Sequence, residues 1–295
     1  MILISFLAML SFQVEVNNQL VDLENRYYLK TADQVIIIGD SAECIGLLLP
    51  LPGYYDNIEL YPNRCRFLTD CLAYRYIEIG RVHKLNIHLV DQIPSPGTFY
   101  LCSNFNPDTN IILSREPLYF SYPGQIIQFV LRPGDEYLDY LMELINTPFI
   151  LSPRFTPQGF HQVDNCLGSD CASFAIYPHR RRGEQMKYVY PLDIFQYLQP
   201  IYHEVFLPRE KDSLSVFQSD DGKVIAISRE NLWQGDVIHF GEQVSIFYED
   251  RGIKGVLDSK DLVIQSWFNQ PGIFTIYNCG FWGEPIRVYK WKINS

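Results

Sequence analysis

Between residue 13 and about residue 134 the chain is interrupted every few residues by Gly, Pro, Asn or Asp. The pieces between these breaks are too short to make ordinary helices. "DQVIIIGD", "KLNIHLV", "GTFYLCSNF", "TNIILS" and "QIIQFVLRPG" are rich in β-branched and aromatic residues and carry turn formers at their ends. Segments of that kind bury apolar surface by pairing side by side. The spacing predicts an all-β domain over residues 13–134, a sandwich of the immunoglobulin-like kind; a partial barrel has the same pattern. An aromatic share of 15% fits, because flat rings suit pleated, half-buried surfaces.

The pattern changes at "RPGDEYLDYLMELINTP". Pro133 and Gly134 end the strand, Asp135 can cap, and Tyr137, Leu138, Leu141, Leu144 and Ile145 recur at helical spacing. A helix reaching Thr147 and Pro148 is expected, opening a second domain over residues 135–295. Loop-like sequence follows, then a second helix at "LGSDCASFAIY" and a mixed segment, "YVYPLDIFQYLQPIYHEVF". From about residue 213 strands are expected at "LSVFQSD", "VIAISR", "DVIHFG", "VSIFYED", "DLVIQSWF" and "GIFTIYN". Helix first and antiparallel strands after is an α+β order.

The formal charge of −10 argues against a nucleic-acid partner, since phosphate binding needs clustered Lys and Arg. The one dense basic run is "HRRRG", residues 179–183, in which Arg181 is a candidate for gripping a carboxylate or phosphate. At the N-terminus, Ile2 to Phe12 has the length of a signal-peptide core and is too short to cross a bilayer. It lacks a basic flank, and the alternation in "SFQVEVNNQL" offers a first strand instead. The export reading places the protein in the periplasm or outside the cell; no other run resembles a membrane span, so an integral membrane protein is not expected. Of seven cysteines, Cys65 and Cys71 bracket a short loop and can close a small disulfide in an oxidising compartment. No C-x-x-C or paired His spacing points to a metal, and no cofactor is implied.

The chemistry concentrates at Cys171. Ser169 or Asp170 can cap a helix that begins with this cysteine, and unpaired N–H groups at a helix start favour a thiolate. The other reading is a small buried hydrophobe. Further on, "LWQGDVIHFGEQVSIFYEDRG" sets a Gly-Asp turn before a strand, a tight Gly turn and a second strand. Together with "GSDCASF" it resembles the NlpC-type branch of the papain-like cysteine peptidases, in particular envelope-associated bacterial relatives, over residues 150–270.

The resemblance implies a helix carrying the cysteine packed on an antiparallel sheet. It also implies attack by Cys171 on peptide or peptidoglycan-stem amides. The family's histidine, at the head of the second strand, is replaced here by Gln243, which cannot take a proton near neutral pH. The orienting position maps to Gln265. His239, on the preceding strand, is the substitute base. His161 and Gln162 on the approach loop are candidates for substrate contact, with Asp170 beside the sulfur. Two functional expectations follow: a cysteine hydrolase of the bacterial envelope, or an inactive papain-like fold that binds a peptide or serves structurally.

Overall fold

The computed structural model describes residues 12–20, 26–39, 43–50, 54–56, 72–82, 85–87, 96–103, 111–114, 126–155, 159–209, 215–267 and 270–292. The chain forms two compact units. The first takes Met1–Leu51 and Thr69–Gly134; the second takes Pro52–Leu68 and Asp135–Ser295. The mixed, mostly sheet content is α+β. The signal-like run up to residue 11 and the loop from Cys65 to Cys71 lie outside the described residues.

The first unit is built from β1 (Phe12–Val16), β2 (Gln19–Leu20), β3 (Arg26–Lys30), β4 (Val35–Gly39) and β5 (Glu43–Pro50). After β6 (Tyr54–Asp56), which belongs to the second unit, it resumes. Its later strands are β7 (Leu72–Val82), β8 (Leu85–Ile87), β9 (Gly97–Ser103), β10 (Ile111–Ser114) and β11 (Ile126–Arg132). One sheet runs β2-β1-β4-β8 and the other β10-β7-β5-β9-β11-β3. All their pairings are antiparallel except β11 with β3. Val14 and Val35 from the first sheet join Leu47, Phe99, Leu101 and Phe129 from the second in one buried cluster. The two sheets therefore share a single core, as expected for strands with one apolar face each.

In the second unit, α1 (Tyr137–Met142) is shorter than the periodicity of its sequence suggests. Glu136 rather than Asp135 is its N-cap, with a reciprocal bond from its backbone N–H to Asp139 Oδ2 at 2.9 Å. Asn146 turns left-handed at φ 63°, so the helical ladder cannot continue to Pro148. The chain then passes through β12 (Phe149–Leu151), paired in parallel with β6, to α2 (Cys171–Arg181). Every α2 residue from Cys171 to His179 is buried, which is why its sequence is apolar on all sides. Arg180 and Arg181 in its last turn complement the negative end of the helix dipole.

The remaining strands are β13 (Leu198–Pro200), β14 (Leu207–Pro208), β15 (Phe217–Gln218), β16 (Val237–Phe240), β17 (Gln243–Glu249), β18 (Leu262–Gln265), β19 (Gly272–Thr275) and β20 (Ile286–Trp291). Six of them form an antiparallel sheet in the order β13-β20-β16-β17-β18-β19. The run "VIAISR" holds only isolated bridges, such as Ala226 to Val256. The apolar cluster Ile238, Phe240, Phe247, Val263, Ile286 and Val288 covers one side of the sheet, and α2 packs on β17 and β18. Glu143 ties α1 to α2: its buried carboxylate accepts Arg181 Nε at 2.9 Å and Tyr177 Oη at 2.5 Å.

Candidate functional site

Asp170 holds the start of α2. Its Oδ1 accepts the Ser173 N–H at 2.7 Å, and the Ser152 and Ala172 amides also face its carboxylate. Burial outweighs these bonds and pushes its pKa up to about 6. The approach to Asp170 is clamped from two sides. Ser169 N–H donates to Pro148 O at 3.2 Å, and Ser169 O accepts Ile150 N–H at 3.1 Å. Across the unit, Ser266 Oγ donates to Ser169 O at 2.8 Å, and the two hydroxyls lie 3.2 Å apart. These links fix Cys171 against the sheet.

The hairpin between β16 and β17 supplies the other wall. Gly241 and Glu242 make a two-residue turn closed by the Phe240–Gln243 pair, with Gly241 at φ 63°, the left-handed conformation such turns require. The next pair is His239 with Val244. The backbone N–H of Val244 faces the Cys171 sulfur and, with the Ala172 and Cys171 amides, favours its thiolate. Desolvation is the larger effect, and the Asp170 charge adds to it. The Cys171 thiol is 3% exposed and its pKa is pushed up to about 12, the direction opposite to that of an activated nucleophile.

Gln243 stands at the head of β17, one residue before that amide. Its Nε2 lies among three acceptors: Val244 O at 3.1 Å, Ser266 O at 3.2 Å and Gln265 Oε1 at 3.3 Å. This surrounding fixes the orientation of the amide, since an oxygen in that place would face three oxygens. Gln265 is held in turn by Ser245 Oγ, which donates to its Oε1, and by its own Nε2 donating to Cys279 O at 2.6 Å. Gln243 Oε1 is buried and, among the described residues, has no hydrogen-bond partner. The two glutamines expected from the sequence are thus bonded to each other, and Ser266 and Ser169 link them to the segment that carries Cys171.

The histidines are placed differently. His239 is buried between Phe195, at 4.8 Å between ring centroids, and Tyr289, at 6.4 Å; among the described residues its Nε2 has no hydrogen-bond partner. Burial first and the nearby Arg287 charge second lower its pKa from 6.5 to about 4. His161 accepts the Val163 N–H on Nδ1 at 3.3 Å, and the Pro153 backbone also faces its ring. Burial lowers its pKa to about 4. Among the described residues no hydrogen bond joins an imidazole to the Cys171 sulfur.

The imidazole of His239 makes a testable contribution to stability. A histidine whose folded pKa lies below its unfolded value binds fewer protons in the folded protein, so it destabilises the fold as pH falls from about 7 toward 4. His239→Phe fills the same aromatic site without that proton deficit. The melting temperature of the variant minus that of the parent is expected to grow more positive from about pH 8 to about pH 5. A difference independent of pH contradicts the placement of a neutral, desolvated imidazole there.

The remaining candidates make contacts within the chain. Gln162 Oε1 accepts the Arg154 N–H at 2.9 Å and so closes the loop that carries His161. Arg181 is engaged by Glu143, its own chain's carboxylate, and Arg180 by Asp164 at 2.7 Å. Cys171 and Cys279 are buried free thiols, Cys166 Sγ lies buried 3.2 Å from Tyr177 Oη, and Cys279 packs in the apolar cluster under the sheet.

One group has no signal in the sequence. A pocket of about 420 Å³ opens beside the start of α2, lined in part by His161, Asp170, Ser173, Tyr188, Tyr190 and Asp193. The Tyr188 ring stacks on His161 at 4.2 Å and lies 4.7 Å from the Arg180 guanidinium carbon, while its hydroxyl donates to Asp164 Oδ1 at 2.6 Å. Tyr188 and His161 form part of the wall of this pocket, and Arg180 and Asp164 hold Tyr188 from behind. Cys171 is not in its lining. Comparison with protein-family models, with curated proteins and with solved structures finds no match.

Proposed function

We propose that the second unit is a papain-like domain of NlpC type that binds a peptide without cleaving it. We propose further that the first unit is an immunoglobulin-like sandwich and that the protein works in the bacterial envelope. The single observation that carries the reading is the Gln243–Gln265 pair. A general base is needed at the head of β17, and the residue there is an amide locked to a second amide. The buried Cys171 thiol, faced by the Val244 amide and with its pKa pushed up to about 12, supports the same conclusion.

The domain keeps several parts of the expected arrangement. A cysteine opens a capped helix, the helix packs on an antiparallel sheet, and a backbone N–H faces the sulfur. The hydrolase expectation adds to these a proton acceptor in contact with the thiol. Neither His239 nor His161 is so placed, and both have lowered pKa values for want of solvent. The open pocket lies one residue along the helix start, on the side of Asp170 and Ser173, where a ligand can bind without reaching the sulfur.

Incubation with a panel of blocked peptide amides, including stem-type peptides, tests this reading. The expected result is saturable binding with every peptide recovered intact and no acyl adduct on Cys171 by mass spectrometry. A cleaved product that disappears in Cys171→Ala overturns it.

A further inference from the structure

We infer that the pocket beside α2 accepts a basic peptide side chain, an alkylammonium or a guanidinium; the inference rests on the non-hydrolytic binding reading above. Large apolar side chains are exposed on the two segments flanking this pocket. Phe155 and Phe160 are 68% and 53% exposed on one, and Tyr190 and Leu192 are 48% and 65% exposed on the other. Phe155 and Tyr190 are part of the lining itself. Two exposed rings at one opening offer faces of negative electrostatic potential, which attract cations more strongly than they attract neutral groups.

The charges in the lining agree. Asp193, in the 3-10 segment Pro191–Tyr197, is exposed, and among the described residues its carboxylate has neither a hydrogen bond nor an ion pair. At the floor, the buried Asp170 carboxylate is bound by amides and the Ser173 hydroxyl, with no cation beside it. Arg154 is the basic side chain of the lining, set against these two acids, while His161 stays neutral because burial holds its pKa near 4. Arg180, which lies behind the Tyr188 wall, is already paired with Asp164.

The geometry divides the work between the two ends of a long basic side chain. Its methylene stem would lie against Phe155, and its charged tip would meet Asp193 beside the face of the Tyr190 ring. His161 contributes a flat wall, its ring stacked on Tyr188 and its Nδ1 held by the Val163 N–H. An acidic side chain would meet the Asp170 and Asp193 carboxylates, with Arg154 the guanidinium of the lining. The selectivity therefore comes from repulsion of acids as well as from attraction of bases.

Calorimetric titration with acetylated, amidated Gly-X-Gly peptides tests the inference, with X as Lys, Arg, norleucine or Glu. The Lys and Arg peptides are expected to bind at least about tenfold more tightly than the norleucine peptide, the sum of a cation–π contact and a partly exposed charge pair. The Glu peptide is expected to give no heat of binding. In Asp193→Asn the preference for Lys over norleucine should shrink severalfold, and Tyr190→Leu should weaken Lys and Arg together. Asp193 makes no side-chain bond that folding needs, so its variant remains a fair test; melting curves of both variants verify the fold.

Norleucine binding as tightly as Lys, an unchanged preference in Asp193→Asn, or no binding by any peptide overturns the inference. Cleavage of a bound Lys peptide has a different meaning: it removes the non-hydrolytic reading and leaves the cation preference standing.

Discussion

Gln243→His is expected to turn Cys171 from an inert thiol into a reactive one. In the present chain Gln243 Nε2 gives its hydrogens to Gln265 Oε1 and Ser266 O, and the sulfur beside Val244 has no base. An imidazole of similar length at position 243 would find the same acceptors for one N–H and leave its second nitrogen for the thiol. Gln265 would then hold that ring's tautomer, the task its amide oxygen already performs for Gln243. An adjacent imidazolium is the strongest ordinary means of lowering a cysteine pKa, by several units from a buried starting point.

Labelling of Cys171 by a small alkylating agent near pH 7.5 should rise by at least about a hundredfold in the variant. Peptide mapping assigns the label, because the chain carries other cysteines. A folded Gln243→His protein that labels no faster than the parent would contradict the placement of residue 243 in the base position. Gln243→Leu serves as the control. It removes the amide without supplying a base, and its labelling should stay at the parental rate.

Gly168→Ala is expected to cost about 3 kcal/mol or more of stability and to disorder the start of α2. Gly168 sits at φ +150°, where L side chains are rarely found. A Cβ built there would lie 2.8 Å from Pro148 O and 2.5 Å from Ile150 Cγ1. Ile150 can move only by disturbing β12, and Pro148 O is the acceptor for Ser169 N–H. The strain therefore passes directly to Ser169, and from there to Asp170 and Cys171. Chemical denaturation measures the cost, and loss of near-ultraviolet signal from Tyr188 and the neighbouring rings reports the damage to the pocket. A Gly168→Ala protein as stable as the parent contradicts the close packing of this segment under β12.

How far the sequence reveals this arrangement depends on the range of the interactions involved. The five punctuated runs of the first unit all carry strands, because turn residues and β-branched runs act locally. The 11-residue β7 carries Arg75 and Glu78 among its apolar residues and gives no such local signal. β20 is also absent from the expected strands, although "IRVYKW" alternates Ile286 and Val288 with Arg287 and places them centrally in the sheet. α2 is legible because its cap and its apolar run are contiguous. The length of α1 is not, since its periodic residues Leu144 and Ile145 continue past the point where the helix ends, before Asn146 turns the chain.

The site divides along the same line. Gln243 and Gln265 are identifiable from their positions in strand patterns, but their mutual bond depends on how β17 and β18 pair. The Ser169–Ser266 clamp joins residues far apart in sequence, with no local signature. His239 is a candidate base only by its nearness in sequence, whereas packing surrounds it with Phe195 and Tyr289. Arg181 reads as a free basic residue because nothing near it in sequence foretells the buried Glu143. The group of Asp164, Arg180 and Tyr188 is likewise made of residues that look unrelated until α2 and its flanking loops are folded together.

The central claim is that Cys171 is a protonated, unassisted thiol. The most direct test is the ultraviolet thiolate absorbance of the native protein as a function of pH, taken as the difference from Cys171→Ala. No Cys171 thiolate is expected to appear up to about pH 9, because burial holds the proton on the sulfur. A titration attributable to Cys171 with a midpoint below about pH 8.5, the range of an ordinary or activated thiol, would contradict the account.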